Sequence, residues 1–152
     1  MSTKMTTSPH GFDLADSGSL SLIHSIGSFQ SRLLDWLVAE LCDQGFEGLT
    51  GAMLTFLGSL DCGENHASAL ARTLGISRQA VHKQVRELEA FGWLRTTPHP
   101  DKGNQRVIIF TAEGERMMSV ARTRFAALDA KLEETIGIDP GALSQRLEQA
   151  RF

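Results

Sequence analysis

The chain has 152 residues, with 15 Lys+Arg against 18 Asp+Glu, and a net charge of −3. Its length predicts one domain with a real core, and 41% hydrophobic with 22% charged residues excludes a disordered or fibrous chain. The N-terminal stretch is polar, and the most apolar segment, Leu33 to Cys42, is broken by Asp35 and Glu40, so neither a signal peptide nor a membrane span is expected.

Residues 1–18, rich in Ser, Thr, Gly and Asp, read as a flexible tail ahead of a single domain over 19–152. From Ser19 the pattern turns helical. Leu22, Ile26, Phe29, Leu33, Leu37 and Leu41 recur at spacings of three and four, and Leu34, Trp36 and Val38 widen the stripe. A stripe that broad predicts a packing partner. Gly45 and Gly48 end the helix. Thr50 is placed to cap a second helix carrying Leu54, Leu57 and Leu60 on its apolar face. Asp61 to Asn65 reads as a turn. A short helix with Leu70, Ala71 and Leu74 inward follows, and Gly75 stops it. Ser77 caps the next helix, which runs to about Phe91 before Gly92. Trp93 to Thr96 and Arg106 to Phe110 read as strands joined by a polar loop with Pro98, Pro100 and Gly103. Thr111 caps a last long helix, where Met118, Ala121, Phe125, Leu128 and Leu132 make a heptad-like seam. After a break at Ile136 to Pro140, Gly141 to Arg151 reads as a terminal helix with Leu143 and Leu147 on one side.

The segment Leu70 to Leu88 is a helix, a tight turn and a second helix, the helix-turn-helix arrangement. At about 100° per residue, Val85 and Leu88 lie within about 40° of Val81, so these three face inward. Gln79, Lys83 and Arg86 point the opposite way, with Arg78 and His82 flanking them. That outward face reads as free of acid. Arg and Lys reach guanine in a major groove, Gln pairs with adenine, and His or a spare Lys takes a phosphate. Ser77 both caps the helix and opens an N-terminus able to hold a phosphate. The hairpin that follows is a wing, with Lys102 and Arg106 as its basic residues and Asp101 placed to pair with either. The fold expected is mostly α with a small β-hairpin wing, a winged helix-turn-helix over about 50–111.

These stretches resemble the MarR family of bacterial transcriptional regulators. The residues that carry the resemblance are Gly48-Leu49-Thr50, Leu70-Ala71-x-x-Leu74, Ser77-x-x-Ala80-Val81, Leu88-Glu89-x-x-Gly92-Trp93-Leu94 and Phe110-Thr111-x-x-Gly114. The resemblance implies a homodimer built from the N- and C-terminal helices, about 19–45 and 112–152, binding a pseudo-palindromic double-stranded operator. The dimer contacts would fall on Leu22, Ile26, Phe125, Leu128, Leu132, Leu143 and Leu147. It further implies a repressor released by a small aromatic or lipophilic effector. No effector site is assigned: Phe29, Trp36, Phe56 and Phe125 read first as packing residues. At the wing tip many members carry Asp-x-Arg. Here the run is Asp101-Lys102-Gly103-Asn104-Gln105-Arg106, which leaves Lys102 and Arg106 as candidates and Asn104 as a polar substitute.

Other chemistry is weakly represented. There is no GxSxG, HExxH, P-loop or GxGxxG, so no enzyme and no cofactor are expected. Cys42 and Cys62 lack a CxxC partner, which suggests a reducing cytoplasm. A thiol redox sensor on the same fold is one alternative, although acidic residues adjoin both cysteines. A winged helix used as a protein-interaction module is the other. His10, His24, His66 and His99 show no ligand spacing, so no metal is expected. The charge is unevenly placed. Residues 70–106 hold seven basic and three acidic residues, net +4, and the remainder eight and fifteen, net −7.

Overall fold

A computed structural model describes residue 10 and residues 17–150. The expected tail therefore lies largely outside the described residues. The elements are α1 (Gly18–Asp43), α2 (Gly51–Gly58), α3 (Ala67–Leu74), α4 (Arg78–Ala90), β1 (Leu94–Pro98), β2 (Arg106–Phe110), α5 (Ala112–Ile136) and α6 (Pro140–Gln149). Among the described residues, six helices and one antiparallel hairpin make the expected mostly helical winged helix-turn-helix.

The chain forms two compact units, Met1–Leu34 and Asp35–Phe152. The described part of the first is the N-terminal portion of α1. Its apolar residues are open to solvent: Leu22 is 54% exposed, Ile23 67% and Ile26 42%. The second unit holds the core. Leu37 and Leu41 from α1 are buried, with Phe46 and Leu49 from the loop, Leu54, Phe56 and Leu57 from α2, and Leu70 from α3. Val81, Val85 and Leu88 from α4, Trp93, Leu94, Val107 and Ile108 from the hairpin, and Met117 and Ala121 from α5 complete it. No described helix is long and apolar enough to cross a membrane.

The caps follow the residue types. Thr50 Oγ1 accepts from Met53 N at 3.2 Å, Ser77 Oγ from Ala80 N at 3.1 Å, and Thr111 Oγ1 from Gly114 N at 3.1 Å. Each satisfies a donor that a helix start leaves unpaired. Asp139 does the same for α6, with Pro140 at its first turn. Strand β1 begins one residue later than the sequence suggests. Trp93 is still tied to α4, its N–H donating to Leu88 O at 3.0 Å.

Two glycines have steric reasons. Gly48 has φ +82, and a Cβ there would meet the Phe91 ring at 2.6 Å. Gly114, in the first turn of α5, sits against the backbone of Trp93, whose carbonyl oxygen a Cβ would meet at 2.1 Å. Thr111 N also donates to that oxygen at 3.0 Å, and Thr111 Oγ1 donates to Gly92 O. The junction of hairpin and α5 is therefore tight.

The stretch read as a plain turn, Asp61 to Asn65, does more than reverse the chain. Asn65 forms an isolated antiparallel bridge to Ile108, with N–H···O distances of 3.0 and 2.8 Å. Its buried side chain accepts from Asp61 N at 2.8 Å. It donates to the carbonyls of Asp61, Gly63 and Ile108 at 2.9, 3.1 and 3.3 Å. The segment before α3 is thereby fixed to the second wing strand.

Candidate nucleic-acid interface

Helices α3 and α4 are joined through Gly75, which has φ +65, and Ile76 N returns to Ala71 O at 3.1 Å. Val81, Val85 and Leu88 are 0%, 3% and 0% exposed, so the inward face of α4 is the one the wheel predicts. Ser77, Arg78, Gln79, His82, Lys83 and Arg86 are all exposed. One feature of that face differs from the sequence reading. Glu87 lies one turn beyond Lys83, with its carboxylate 3.9 Å from the ammonium. The outward face is thus not free of acid. So loose and solvated a pair restrains Lys83 little.

The wing is built on the register Leu94↔Phe110 through Pro98↔Arg106. Its tip is closed by His99 N to Gln105 O and Gln105 N to Lys102 O, both 2.8 Å. Lys102, Asn104 and Arg106 are exposed. Arg106 begins β2 at the loop end of the ladder, opposite Pro98, and its guanidinium donates to Thr96 O at 3.3 Å. The expected ion pair of Asp101 with Lys102 or Arg106 is not among the pairs formed by the described residues. The Asp101 N–H instead donates to His99 Nδ1 at 3.0 Å.

A cleft of about 310 Å³ lies between α4 and the wing, lined by His82, Arg86, Glu89, Thr96, Arg106 and Ile108 among others. It brings two recognition-helix residues and one wing residue onto one surface. Lys102 and Asn104 do not line it. A second cleft, about 390 Å³, is bordered by Arg72, Ile76 and Arg78. Arg72 belongs to the basic segment, and the turn geometry sets it beside Arg78.

A third cleft, about 330 Å³, lies between α5, β2 and the end of α2. Leu60, Phe110 and Met118 give it apolar walls, and Glu115, Arg122 and Cys62 line it as well. Arg122 Nη2 is 3.6 Å from the exposed Cys62 sulfur. So the surroundings of Cys62 are not purely acidic, as its sequence neighbours suggest. Neither Phe56, which is buried, nor Phe125, which is exposed, lines this cleft.

An outward basic helix beside a two-stranded wing defines the winged helix-turn-helix class. Residues 48–103 match the model of the MarR family. Solved structures extend the likeness of fold to most of the chain. The oxidized form of MarR from E. coli is 19% identical, with a TM-score of 0.66 over 89% of this chain and 95% of that one. CouR from Rhodococcus jostii RHA1, bound to p-coumaroyl-CoA, is 19% identical, with a TM-score of 0.67 over 87% of each chain. A mutant MarR from E. coli complexed with operator DNA is 20% identical, with a TM-score of 0.63 over 85% of this chain and 90% of that one. No curated protein matches this sequence.

Proposed function

We propose that this protein is a dimeric, sequence-specific DNA-binding transcriptional regulator, a repressor released by a small-molecule effector. The observation that carries the reading is the exposed face of Ser77, Arg78, Gln79, His82, Lys83 and Arg86 on a helix packed by Val81, Val85 and Leu88. Such a helix enters a major groove, where Arg, Lys and Gln read base edges. The free N–H groups beyond Ser77 hold a phosphate. The wing follows the backbone with Lys102, Asn104 and Arg106. The MarR structure with operator DNA supports the same docking for this fold.

The dimer rests on apolar surface that one chain leaves uncovered. Leu22, Ile26, Phe125 and Leu147 are 54%, 42%, 38% and 45% exposed, and Leu128, Leu132 and Leu143 are half-buried. A two-fold dimer presents two recognition helices to half-sites about one helical turn apart. The effector enters the cleft of Leu60, Phe110, Met118 and Arg122. Its walls take a lipophilic or aromatic body, and Arg122 takes an acidic group. CouR with its bound acyl-CoA supports an effector of that chemistry. Occupancy changes the separation of the two recognition helices, and the ligand shifts the DNA equilibrium by its differential affinity for the two arrangements.

Anisotropy titration against DNA upstream of the protein's own gene tests the reading. Log K falls linearly with log salt as phosphates are neutralised. Binding that ignores salt and sequence would leave the winged helix as a protein-interaction module. A second reading, thiol redox sensing, is favoured by one observation: exposed Cys62 beside the Arg122 guanidinium, on the effector cleft. A Cys62→Ser variant that still releases DNA on peroxide treatment eliminates it.

A further inference from the structure

The fold assembles a group of metal-ligating side chains that sequence spacing does not reveal. Glu64 precedes α3, His66 is the residue before its first turn, and His99 follows β1 where the wing loop begins. One ligand atom from each lies within 4.8 Å of the other two. Three details single out this cluster. His66 occupies the N-cap position, where Ser, Thr, Asp or Asn is preferred, yet its side chain makes no cap hydrogen bond. Its ring instead stacks on that of His99, with centroids 6.1 Å apart and planes at 13°. The Glu64 Oε2 to His99 Nε2 distance is 3.3 Å, which is the ligand–ligand edge of a tetrahedron with metal bonds of about 2.0–2.1 Å. The His99 side chain is 13% exposed and Glu64 42% exposed, so the group is half sheltered and open on one side.

We propose that Glu64, His66 and His99 form a binding site for a divalent transition ion of the zinc class, clamping the start of the wing loop to the segment that leads into the helix-turn-helix. Two imidazoles and a carboxylate suit Zn²⁺ and Co²⁺, rather than Mg²⁺ or Ca²⁺, and leave a fourth position to solvent. The site belongs to the lobe that carries the DNA-facing surface and uses no residue of that surface. It is separate from the effector cleft, which it shares no lining residue with.

The geometry couples the site to the wing loop. The His99 Nε2 faces Glu64 at 3.3 Å, while its Nδ1 accepts the Asp101 N–H at 3.0 Å, so the ring that would hold the ion also anchors the loop turn that bears Lys102.

The test is titration of the full-length, metal-stripped protein with Co²⁺ and then Zn²⁺. One Co²⁺ per chain, with visible absorption of a low-coordinate site that Zn²⁺ abolishes, is expected. His66→Gln, His99→Gln and Glu64→Gln should each weaken binding by at least about tenfold. Cys62→Ser and His24→Ala should leave it unchanged. Glu64 is exposed, so Glu64→Gln melts like the parent without metal, and its loss of Co²⁺ binding cannot be assigned to unfolding. A wild-type chain that takes up no Co²⁺ or Zn²⁺ at micromolar concentration overturns the site, as does undiminished binding in all three variants. The Asp101 amide resonance should move on Zn²⁺ addition in the wild type and not in His66→Gln. An Asp101 amide that stays in place overturns the coupling.

Discussion

Gly114→Ala is a sharp test of how the wing is anchored. The added Cβ would lie 2.1 Å from the carbonyl oxygen of Trp93, 3.0 Å from its carbonyl carbon and 3.1 Å from Phe110 Cδ1. A carbon–oxygen contact needs about 3.3 Å, so backbone must move by about 1 Å. Neither side moves freely. Trp93 O accepts the Thr111 N–H, Trp93 N is tied to Leu88, and Trp93 itself is 4% exposed. Overpacking of this kind costs about 1–3 kcal/mol, and losing the Thr111 bond adds about 1 kcal/mol. Alanine returns about 1 kcal/mol through helix propensity. The net loss is then about 1–3 kcal/mol, a fall in Tm of about 2–12 °C for a chain of this size. Thermal unfolding followed by circular dichroism measures it. The control is Gly27→Ala, where nothing lies within 4 Å. That variant should match or exceed the parent, since mid-helix glycine costs about 0.5–1 kcal/mol. A Gly114→Ala protein that melts at or above the parent temperature refutes the steric account of this junction.

Lys83→Ala combined with Arg86→Ala should lower specific operator affinity at least tenfold, at about 1–3 kcal/mol per lost base contact. Both side chains are exposed, so the melting temperature should hold, and anisotropy alone reports the change. Asn65→Ala strands the carbonyl groups of Asp61 and Gly63 and the Asp61 N–H, and should cost about 2–4 kcal/mol. Amide exchange at Ile108, whose N–H is bonded to Asn65 O, should accelerate beyond the global change. Glu113 gives a pH signature. Side-chain hydrogen bonds from Arg116 hold its carboxyl below the ordinary carboxylate range, partial desolvation opposes this, and the Arg116 charge assists. A depressed folded-state value means the stabilisation is present above the unfolded carboxylate pKa. It disappears as pH falls through the lowered folded value. The Tm difference between the parent and Glu113→Gln should therefore be small and positive near neutrality and vanish in acid.

The helix-turn-helix was legible because its information is local. Val81, Val85 and Leu88 fix the buried face by period alone, and Ser77, Gly75 and Thr111 mark boundaries through single-residue preferences. What escaped was set by contacts between distant segments. Asn65 reads as a turn residue, and nothing near it in the chain announces Ile108. His66 and His99 show no ligand spacing because the hairpin, not the helix period, brings them together. Arg122 stands beside Cys62 for the same reason. The broad stripe on α1 predicted a partner, yet within the chain only Leu37 and Leu41 are buried from it. Pattern width reports how much surface wants covering, not which molecule covers it.

The net charge of −3 conceals opposed surfaces, and the structure gives that split a consequence for binding. The lobe over residues 70–106 is net +4, but Glu87 sits one turn from Lys83, and Glu89 lines the cleft shared by Arg86 and Arg106. The remainder, at net −7, repels phosphates wherever DNA approaches it. Bulk attraction is therefore weak, and each released counterion adds only about 0.9 to the salt slope. Under the proposed function, affinity must come from placing a few cations at fixed phosphates and bases in both half-sites together. A single lobe would bind poorly. Two lobes held at the right separation gain by the effective concentration of the second site, so a small change in that separation forfeits most of the affinity. Under the proposed function, an acidic body carrying two modestly basic lobes is a molecule whose DNA binding is easily released. That is the property the proposed effector cleft against α5, or an ion where the wing loop begins, needs in order to act.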